Sequence, residues 1–366
     1  MRKIVFFTLA VIIICAVTSP ASAALPTLPS GKENPLPILY PELNGKVAPP
    51  LVTEGLRATY YATTKNGESL IQTDVVALDG SLAATSTTLY IQGPLGYMRP
   101  LSVSSFGSIV PAGCGDFWCD PGILKKAKER SDNDVVIVRA PLEVNGEVYQ
   151  AIRFEIKREG TRYIMTYDEN TGLLIHHRYD ILSADGTSTD TGILQIRNTR
   201  EVEIPWEGGT VPGWIRAGKK VTYQGQTLYQ IPGSADVPLP LTLTVEFASV
   251  LKESSVLKST VQDQSTTWPS STTVSGVYQL MGFWLPEVAL KIDEVGEIDA
   301  DPDTGMIVSA VQNDDELIVL EMTNGNDYQK LLSYDKNTGQ LLGSYEEQVT
   351  EPMTGTVQKT ALELMG

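Results

Sequence analysis

The chain has 366 residues, of which 42% are hydrophobic and 20% are charged, the composition of a folded globular protein. Its 28 Lys and Arg residues against 44 Asp and Glu residues give a net charge of −16, which excludes partners that are bound through their phosphates, such as nucleic acid or an anionic membrane surface. The chain has two histidines, so a histidine-rich metal centre is also excluded, and no cofactor is expected.

Residues 1–23 have the pattern of a secretory signal peptide. Arg2 and Lys3 precede an apolar stretch, residues 4–17, and small residues follow up to Ala23. The stretch is shorter than the roughly 20 residues of a transmembrane helix. We therefore predict cleavage after Ala23 and an extracytoplasmic protein, periplasmic or secreted, that does not span the membrane.

Residues 24–50 form a proline-rich segment. It contains seven prolines and little charge. Such a stretch favours extended, polyproline-like conformations. We predict a tether, or a strap across the surface of the domain that follows.

Three short motifs occur twice, in the same order and at nearly the same separation. Tyr-Asp-x-Asn-Thr-Gly begins at Tyr167 and at Tyr334. Phe-Trp occurs at residues 117–118 and 283–284, and Gly-x-x-x-Thr-Tyr at 55–60 and 218–223. We predict a tandem duplication, with copy 1 at residues 51–204 and copy 2 at residues 205–366. Each copy is long enough to bury its own core.

The pattern within each copy is mostly that of β-strands. Apolar and polar side chains alternate along residues 152–157 and 241–247, as in half-buried antiparallel strands. The Asp-x-Asn-Thr-Gly segments predict tight hairpin turns. A short helix is expected after each Phe-Trp pair, capped by Asp120 in copy 1 and at Pro286–Ile292 in copy 2. The predicted fold class is mainly β (α+β), with two tandem copies, each a curved antiparallel sheet meander with one short helix.

This order of sheet meander, helix and Tyr-Asp-x-Asn-Thr-Gly-x-Leu hairpin is similar to that of the LolA-like periplasmic lipoprotein carriers. The resemblance covers the hairpin motif and the order of the elements. It implies a half-open barrel that holds acyl chains.

After removal of the signal peptide two cysteines remain, Cys114 and Cys119. Outside the cytoplasm such an isolated pair forms a structural disulfide. The loop that it closes is short, so the bond would stabilise the fold by only about 2 kcal/mol. A redox-active pair would have the spacing Cys-x-x-Cys, which this pair lacks.

Asp299, Asp301 and Asp303 alternate in a segment that ends at Gly305. Carboxylates at alternate positions suit a hard cation such as calcium. An EF-hand loop, however, has Gly at its sixth position and Glu at its twelfth, where this chain has Thr304 and Ala310. A solvated acidic turn is the alternative to a calcium site, and the sequence favours the turn.

The chain contains no complete catalytic set. His176 and His177 are adjacent on a predicted strand, where their side chains point to opposite faces and cannot reach one metal together. The segment from Gly213 to Lys220 fits a phosphate-binding loop except at its last position, which is Lys instead of Ser or Thr.

The repeated aromatic pairs, Phe117-Trp118 and Phe283-Trp284, remain as candidate ligand-binding residues. They either pack each helix on its sheet as core residues or line an apolar groove or a sugar-stacking platform. The sequence thus predicts a non-catalytic extracytoplasmic binding protein, a carrier or sensor of an apolar, lipid-like ligand in a curved β-sheet. The alternatives are a cell-surface module that binds a protein or a carbohydrate, and a hydrolase with an unrecognised carboxylate pair.

Overall fold

The computed structural model describes residues 34–365, apart from residues 65, 66, 159, 264, 265, 269, 293, 294, 352 and 354. The predicted signal peptide and residues 24–33 lie outside the described residues.

Part of the proline-rich segment is helical and not extended. Residues 34–50 contain helix α1 (Leu36–Leu39) and a 3₁₀ helix (Pro41–Gly45), each of which has proline in its first turn. Leu36 and Leu43 are fully buried in the core of copy 1. Prolines thus begin two short helices here, and a leucine of each helix buries apolar surface.

Copy 1 forms an antiparallel sheet of ten strands, sheet 1, in the order β4-β3-β2-β1-β10-β9-β8-β7-β6-β5. Its strands are β1 (Leu56–Thr64), β2 (Gly67–Asp79), β3 (Leu82–Gln92), β4 (Met98–Pro111), β5 (Arg130–Ser131), β6 (Val135–Val144), β7 (Glu147–Arg158), β8 (Thr161–Asp168), β9 (Leu174–Leu182) and β10 (Ser188–Glu201).

Copy 2 forms a second ten-stranded antiparallel sheet, sheet 2, whose order repeats that of sheet 1: β14-β13-β12-β11-β20-β19-β18-β17-β16-β15. Its strands are β11 (Lys220–Gln230), β12 (Val237–Val250), β13 (Ser254–Asp263), β14 (Ser271–Gly276), β15 (Gly296–Ala300), β16 (Ile307–Asn313), β17 (Leu317–Thr323), β18 (Tyr328–Asp335), β19 (Leu341–Glu351) and β20 (Thr356–Leu364). The predicted fold class, two tandem antiparallel sheet copies, is confirmed.

The helices differ between the copies. Helix α2 (Pro121–Lys126) begins as predicted, and the Asp120 carboxylate accepts a hydrogen bond of 2.9 Å from the Ile123 amide. In copy 2 the predicted helix is a single 3₁₀ turn, Ala289–Lys291. Val288 stands at its N-cap position and has no side-chain acceptor, so the turn lacks the cap that Asp120 supplies in copy 1.

Each sheet carries a core on one face, here called the inner face, and the opposite face is the outer face. The core of sheet 1 is covered by α1, α2 and the segment that holds Phe117 and Trp118. The outer face of sheet 1 packs against copy 2, where Leu70 and Tyr90 contact Met306 and Tyr328. The two copies are therefore joined by a buried contact.

The edge strands β4 and β14 meet at this contact. A Cβ atom added at Gly107 would lie 2.3 Å from the backbone nitrogen of Val274, so only glycine permits the approach. Val76, Ala77 and Ala84 of copy 1 surround Val274 in a small apolar cluster.

Candidate functional site

The three repeated motifs meet at one point in each copy. In copy 1, Trp118 forms a β-bridge with Leu173, and the Tyr60 hydroxyl donates to the Leu174 carbonyl at 2.7 Å. In copy 2, Trp284 forms the matching bridge, and the Tyr223 hydroxyl donates to the Leu341 carbonyl at 3.1 Å. The three repeated motifs therefore form the same packing contact in both copies.

The predicted ligand-binding aromatics lie in the two cores. Phe117 and Trp118 are fully buried, Trp284 is 1% exposed, and Phe283 is half-buried. The Trp118 indole N–H donates to the Ala112 carbonyl at 2.7 Å, and that of Trp284 donates to Ser255 Oγ at 2.9 Å. With their polar atoms satisfied inside the protein, the two indoles have the environment of core residues.

Cys114 and Cys119 are both buried and lie opposite each other in an antiparallel bridge. They are free thiols in this structure, so the predicted disulfide is not formed. Directly opposed antiparallel residues have Cα atoms about 4.5–5.5 Å apart, which is within the range that a disulfide spans. Burial raises the pKa of the Cys119 thiol, which disfavours the thiolate needed for oxidation.

The two histidines lie on opposite faces of β9. His177 is on the inner face, 1% exposed, between the rings of Tyr163 and Tyr179, whereas His176 is half-buried on the outer face. Neither ring nitrogen of His177 has a hydrogen-bond partner among the described residues. Burial, with a smaller contribution from His176, lowers the pKa of His177 to about 3.

We expect His177 to make the fold acid-sensitive. As pH falls below about 6.5 the unfolded chain takes up a proton that buried His177 refuses, so the free energy of unfolding falls by about 2 kcal/mol between pH 7 and pH 5. Chemical denaturation at the two pH values should show this loss in the wild type but not in His177→Leu. His176→Leu is the matched control and should keep most of the loss; equal pH dependence in wild type and His177→Leu would contradict the assignment.

The segment from Asp301 to Gly305 is a third copy of the hairpin turn predicted at Asp168 and Asp335. In all three turns the aspartate carboxylate accepts hydrogen bonds from the amide and the hydroxyl of the threonine three residues later. The turn glycine donates its amide to the aspartate carbonyl at 2.8–2.9 Å. The segment is therefore the acidic turn that the sequence favours, with Pro302 at the variable position of the motif and Asp303 in place of the asparagine.

The carboxylates of this turn pair with arginines of copy 1. Arg57 Nη1 and Arg200 Nη2 donate to Asp301 Oδ2 at 2.9 and 2.8 Å, and Arg200 also binds Asp299 through two bonds of 2.7 Å. Arg197 donates to Asp303 at 2.6 Å. Together with Asp74, which binds Arg57 at 2.7 Å, these side chains form what we call the inter-copy ion cluster.

The positive charges beside these carboxylates are arginine guanidinium groups and not a calcium ion. They hold the pKa of Asp301 well below its usual range, although burial acts in the opposite direction. Within the described part of the chain, no group of three or more His, Cys, Asp and Glu side chains is arranged to hold a metal ion.

A small cavity adjoins the ion cluster at the contact between the copies. Its volume is about 40 Å³, and Gln72, Tyr90 and Gln279 are among its lining residues. The Oε1 atoms of both glutamines lack a partner among the described residues. A cavity of this size has room for a water molecule and not for an acyl chain.

A second candidate surface lies on the inner face of sheet 2. The hairpins β11–β12 and β19–β20 pair side by side through β11 and β20 and continue beyond the buried core. Most of the inner-face side chains in this extension are half-buried. We call this surface the hairpin trough; its residues are Thr227, Tyr229, Leu239, Leu241, Gln348, Gln358 and Thr360.

The trough has an apolar wall and a polar wall. Tyr229, Leu239 and Leu241 form the wall on β11 and β12, and Gln348 and Gln358 lie on the wall from β19 and β20. Gln358 Oε1 is buried without a partner among the described residues, so its capacity to accept a hydrogen bond is unused in this structure. Such a surface suits a molecule that has both an apolar part and a hydrogen-bond donor.

None of the repeated sequence motifs includes a residue of the trough. The alternation of leucines at 239, 241 and 243 predicts a strand, but copy 1 has Gly67 and Ser69 at the positions that match Leu239 and Leu241. The larger apolar residues of copy 2 at these two positions are the sequence feature that indicates the trough.

Comparisons with known proteins find only distant similarity. No protein-family model matches the chain, and no curated protein matches it. The chain is similar to the crystal structure of MucB, with 12% identity, coverage of 65% of this chain and 91% of that one, and a TM-score of 0.25. A complex of MucA and MucB from Pseudomonas aeruginosa gives 14% identity, coverage of 60% and 86%, and a TM-score of 0.22.

A third similar structure is kievitone hydratase from Nectria haematococca. The identity is 11%, the coverage is 93% of this chain and 97% of that one, and the TM-score is 0.17. Scores this low carry no argument about function.

Proposed function

We propose that this protein is a non-catalytic extracytoplasmic binding protein that holds an apolar or amphipathic, lipid-like small molecule in the hairpin trough. The observation that carries the proposal is the half-buried inner face of the two hairpins, where the Leu239 and Leu241 side chains form an apolar wall. A ligand that covers this wall removes apolar surface from water, which is the main source of affinity for such molecules.

The Phe-Trp pairs have no part in this proposal. Trp118 and Trp284 are buried, and their indole N–H groups are hydrogen bonded inside the protein. We therefore assign ligand contact to the hairpin trough and not to these aromatic pairs. Gln358, opposite Tyr229 in the register, supplies the polar contact that would orient a head group.

The location follows from the signal-peptide pattern of residues 1–23. The structure contains, within its described residues, no helix long and apolar enough to cross a membrane. In an oxidising compartment we expect Cys114 and Cys119 to form their disulfide, which would lower the intact mass by two hydrogen atoms.

A charge placed in the trough tests the proposal. Leu241→Glu puts a carboxylate on the apolar wall, and burying a charge there without a partner opposes binding. We expect Leu241→Glu to lose at least tenfold in ligand occupancy, measured by native mass spectrometry of protein exported through its own signal peptide. Thr242→Glu is the matched control because it places the same charge one residue away, on the outer face.

Both variants should first be shown to unfold at the wild-type temperature. Undiminished ligand in Leu241→Glu would exclude the trough as the site. If no small molecule accompanies the wild type while a protein or a glycan binds it, the cell-surface interaction module is the correct class. The solid cores around the Phe-Trp pairs are the observation that favours that second candidate.

A further inference from the structure

The two hairpins of the trough extend beyond the core of copy 2. None of the described residues in 224–244 and 342–365 is buried. The ends of the hairpins lie side by side, because Gln230 pairs with Val357 and a Cβ atom added at Gly355 would lie 3.4 Å from Cγ of Pro232. We call these two ends the hairpin tip; it comprises residues 231–238, 353 and 355.

The hairpin tip exposes apolar side chains to solvent. Met353 is 93% exposed, Val237 is 42% exposed and Ile231 is 38% exposed. Pro232 and Pro238 are exposed beside them. Apolar side chains that project together from a fold mark a surface that another apolar phase covers.

Charge is nearly absent from this part of the chain. Asp236 is the one charged residue from 221 to 245, and Glu351 is the one charged residue from 348 to 358. In the chain as a whole, 20% of the residues are charged. The cost of taking charges out of water is therefore small at the hairpin tip compared with the rest of the surface.

The corresponding hairpins of copy 1 end differently. Ala62 of β1 and Leu70 of β2 are buried close to the turn that joins these strands. The ends of the two hairpins contain the charged residues Lys65, Glu68, Asp185 and Asp190. The extended, weakly charged tip therefore belongs to copy 2, and the fold that the two copies share does not require it.

We propose that the hairpin tip docks into the head-group region of a lipid bilayer whose lipids carry no net charge. A bilayer accepts protruding apolar side chains without a matching groove, and the burial of their surface supplies the affinity. Tyr229 lies two residues behind Ile231, roughly 7 Å along the strand, and tyrosine is enriched at membrane interfaces. With a net charge of −16, the chain would be repelled by an anionic bilayer.

Cosedimentation of the exported protein with phosphatidylcholine vesicles tests the docking. We expect the wild type to bind, and Met353→Glu to lower the ratio of bound to free protein by about tenfold, because docking would take the new carboxylate out of water. Val148→Glu is the matched control, since Val148 is 65% exposed on β7 of copy 1, and this variant should bind like the wild type. Adding anionic phosphatidylglycerol to the vesicles should weaken binding at low salt.

Asp236→Asn tests the same surface in the opposite direction. It removes an exposed carboxylate from the hairpin tip, so binding to phosphatidylcholine vesicles should strengthen by about threefold. A wild type that stays in the supernatant, or a Met353→Glu variant that binds as well as the wild type, would overturn the proposal. A dimer that dissociates in Met353→Glu would also overturn it, because the tip would then cover a second copy.

Docking at the hairpin tip goes beyond the proposed carriage of a small molecule and holds whether or not the trough is filled. Vesicle binding reports on the tip, and the native mass of the protein reports on the trough. A failure of one proposal is therefore distinguishable from a failure of the other.

Discussion

Replacing Trp118 with alanine is expected to lower the free energy of unfolding by about 3–5 kcal/mol, the cost of removing a large aromatic side chain from a packed core. Trp118 is fully buried, its ring contacts Phe117 edge to face at a centroid distance of 4.9 Å, and its indole N–H is bonded to Ala112. Trp284→Ala should cost a similar amount in copy 2. Urea denaturation of the two variants measures both losses.

Trp268→Ala is the control, because this tryptophan is half-buried and lies outside the hairpin contact. It should destabilise the protein much less. Variants of Trp118 or Trp284 that lose ligand but keep wild-type stability would contradict the core assignment and restore the aromatic groove of the sequence prediction.

The second large effect is expected at Asp301. Alanine there removes the acceptor that buried Arg57 and half-buried Arg200 share and the acceptor that closes the turn, and breaking a buried pair costs about 3–5 kcal/mol. Asp335→Ala removes the same turn contacts at a half-buried position, where the loss should cost only about 1 kcal/mol by analogy with a lost helix cap. The difference between the two variants isolates the ion cluster.

Acid should act on the same group. The folded-state pKa of Asp301 is below that of the unfolded chain, so its stabilising effect is complete at neutral pH and is lost as pH falls below about 4. Equal free energies of unfolding for Asp301→Ala and Asp335→Ala at pH 7 would show that the ion cluster adds nothing.

The local parts of the fold could be predicted from the sequence. Period-two alternation identifies strands because neighbouring residues face opposite sides of a sheet. The Asp-x-Asn-Thr-Gly turns were predictable because both the aspartate contacts and the glycine conformation are set within five residues; φ is +82° at Gly172 and +69° at Gly339. The duplication followed from motifs that turned out to touch one another.

The contact between the copies could not be predicted from these patterns. Arg57 and Asp301 are 244 positions apart, and nothing in the local pattern of either indicates the other. Asp299, Asp301 and Asp303 suggested a metal because the guanidinium groups that neutralise them come from β1 and β10 of the other copy. The identity of a counter-charge is a property of the tertiary fold.

The candidate ligand site in the structure, the hairpin trough, differs from the one that the sequence suggests, the Phe-Trp pairs. A repeated Phe-Trp pair suggests function, but repetition also arises wherever two copies keep one packing contact. The hairpin trough belongs to copy 2 alone, because glycine and serine replace its leucines in copy 1, and so a search for shared features passes over it.

The central claim, that the protein carries a small molecule, is tested most directly by native mass spectrometry of the wild-type chain exported through its own signal peptide. The account predicts extra mass on the folded protein that disappears on denaturation and that extracts into organic solvent. A folded protein with the mass of the bare polypeptide after gentle handling would contradict it.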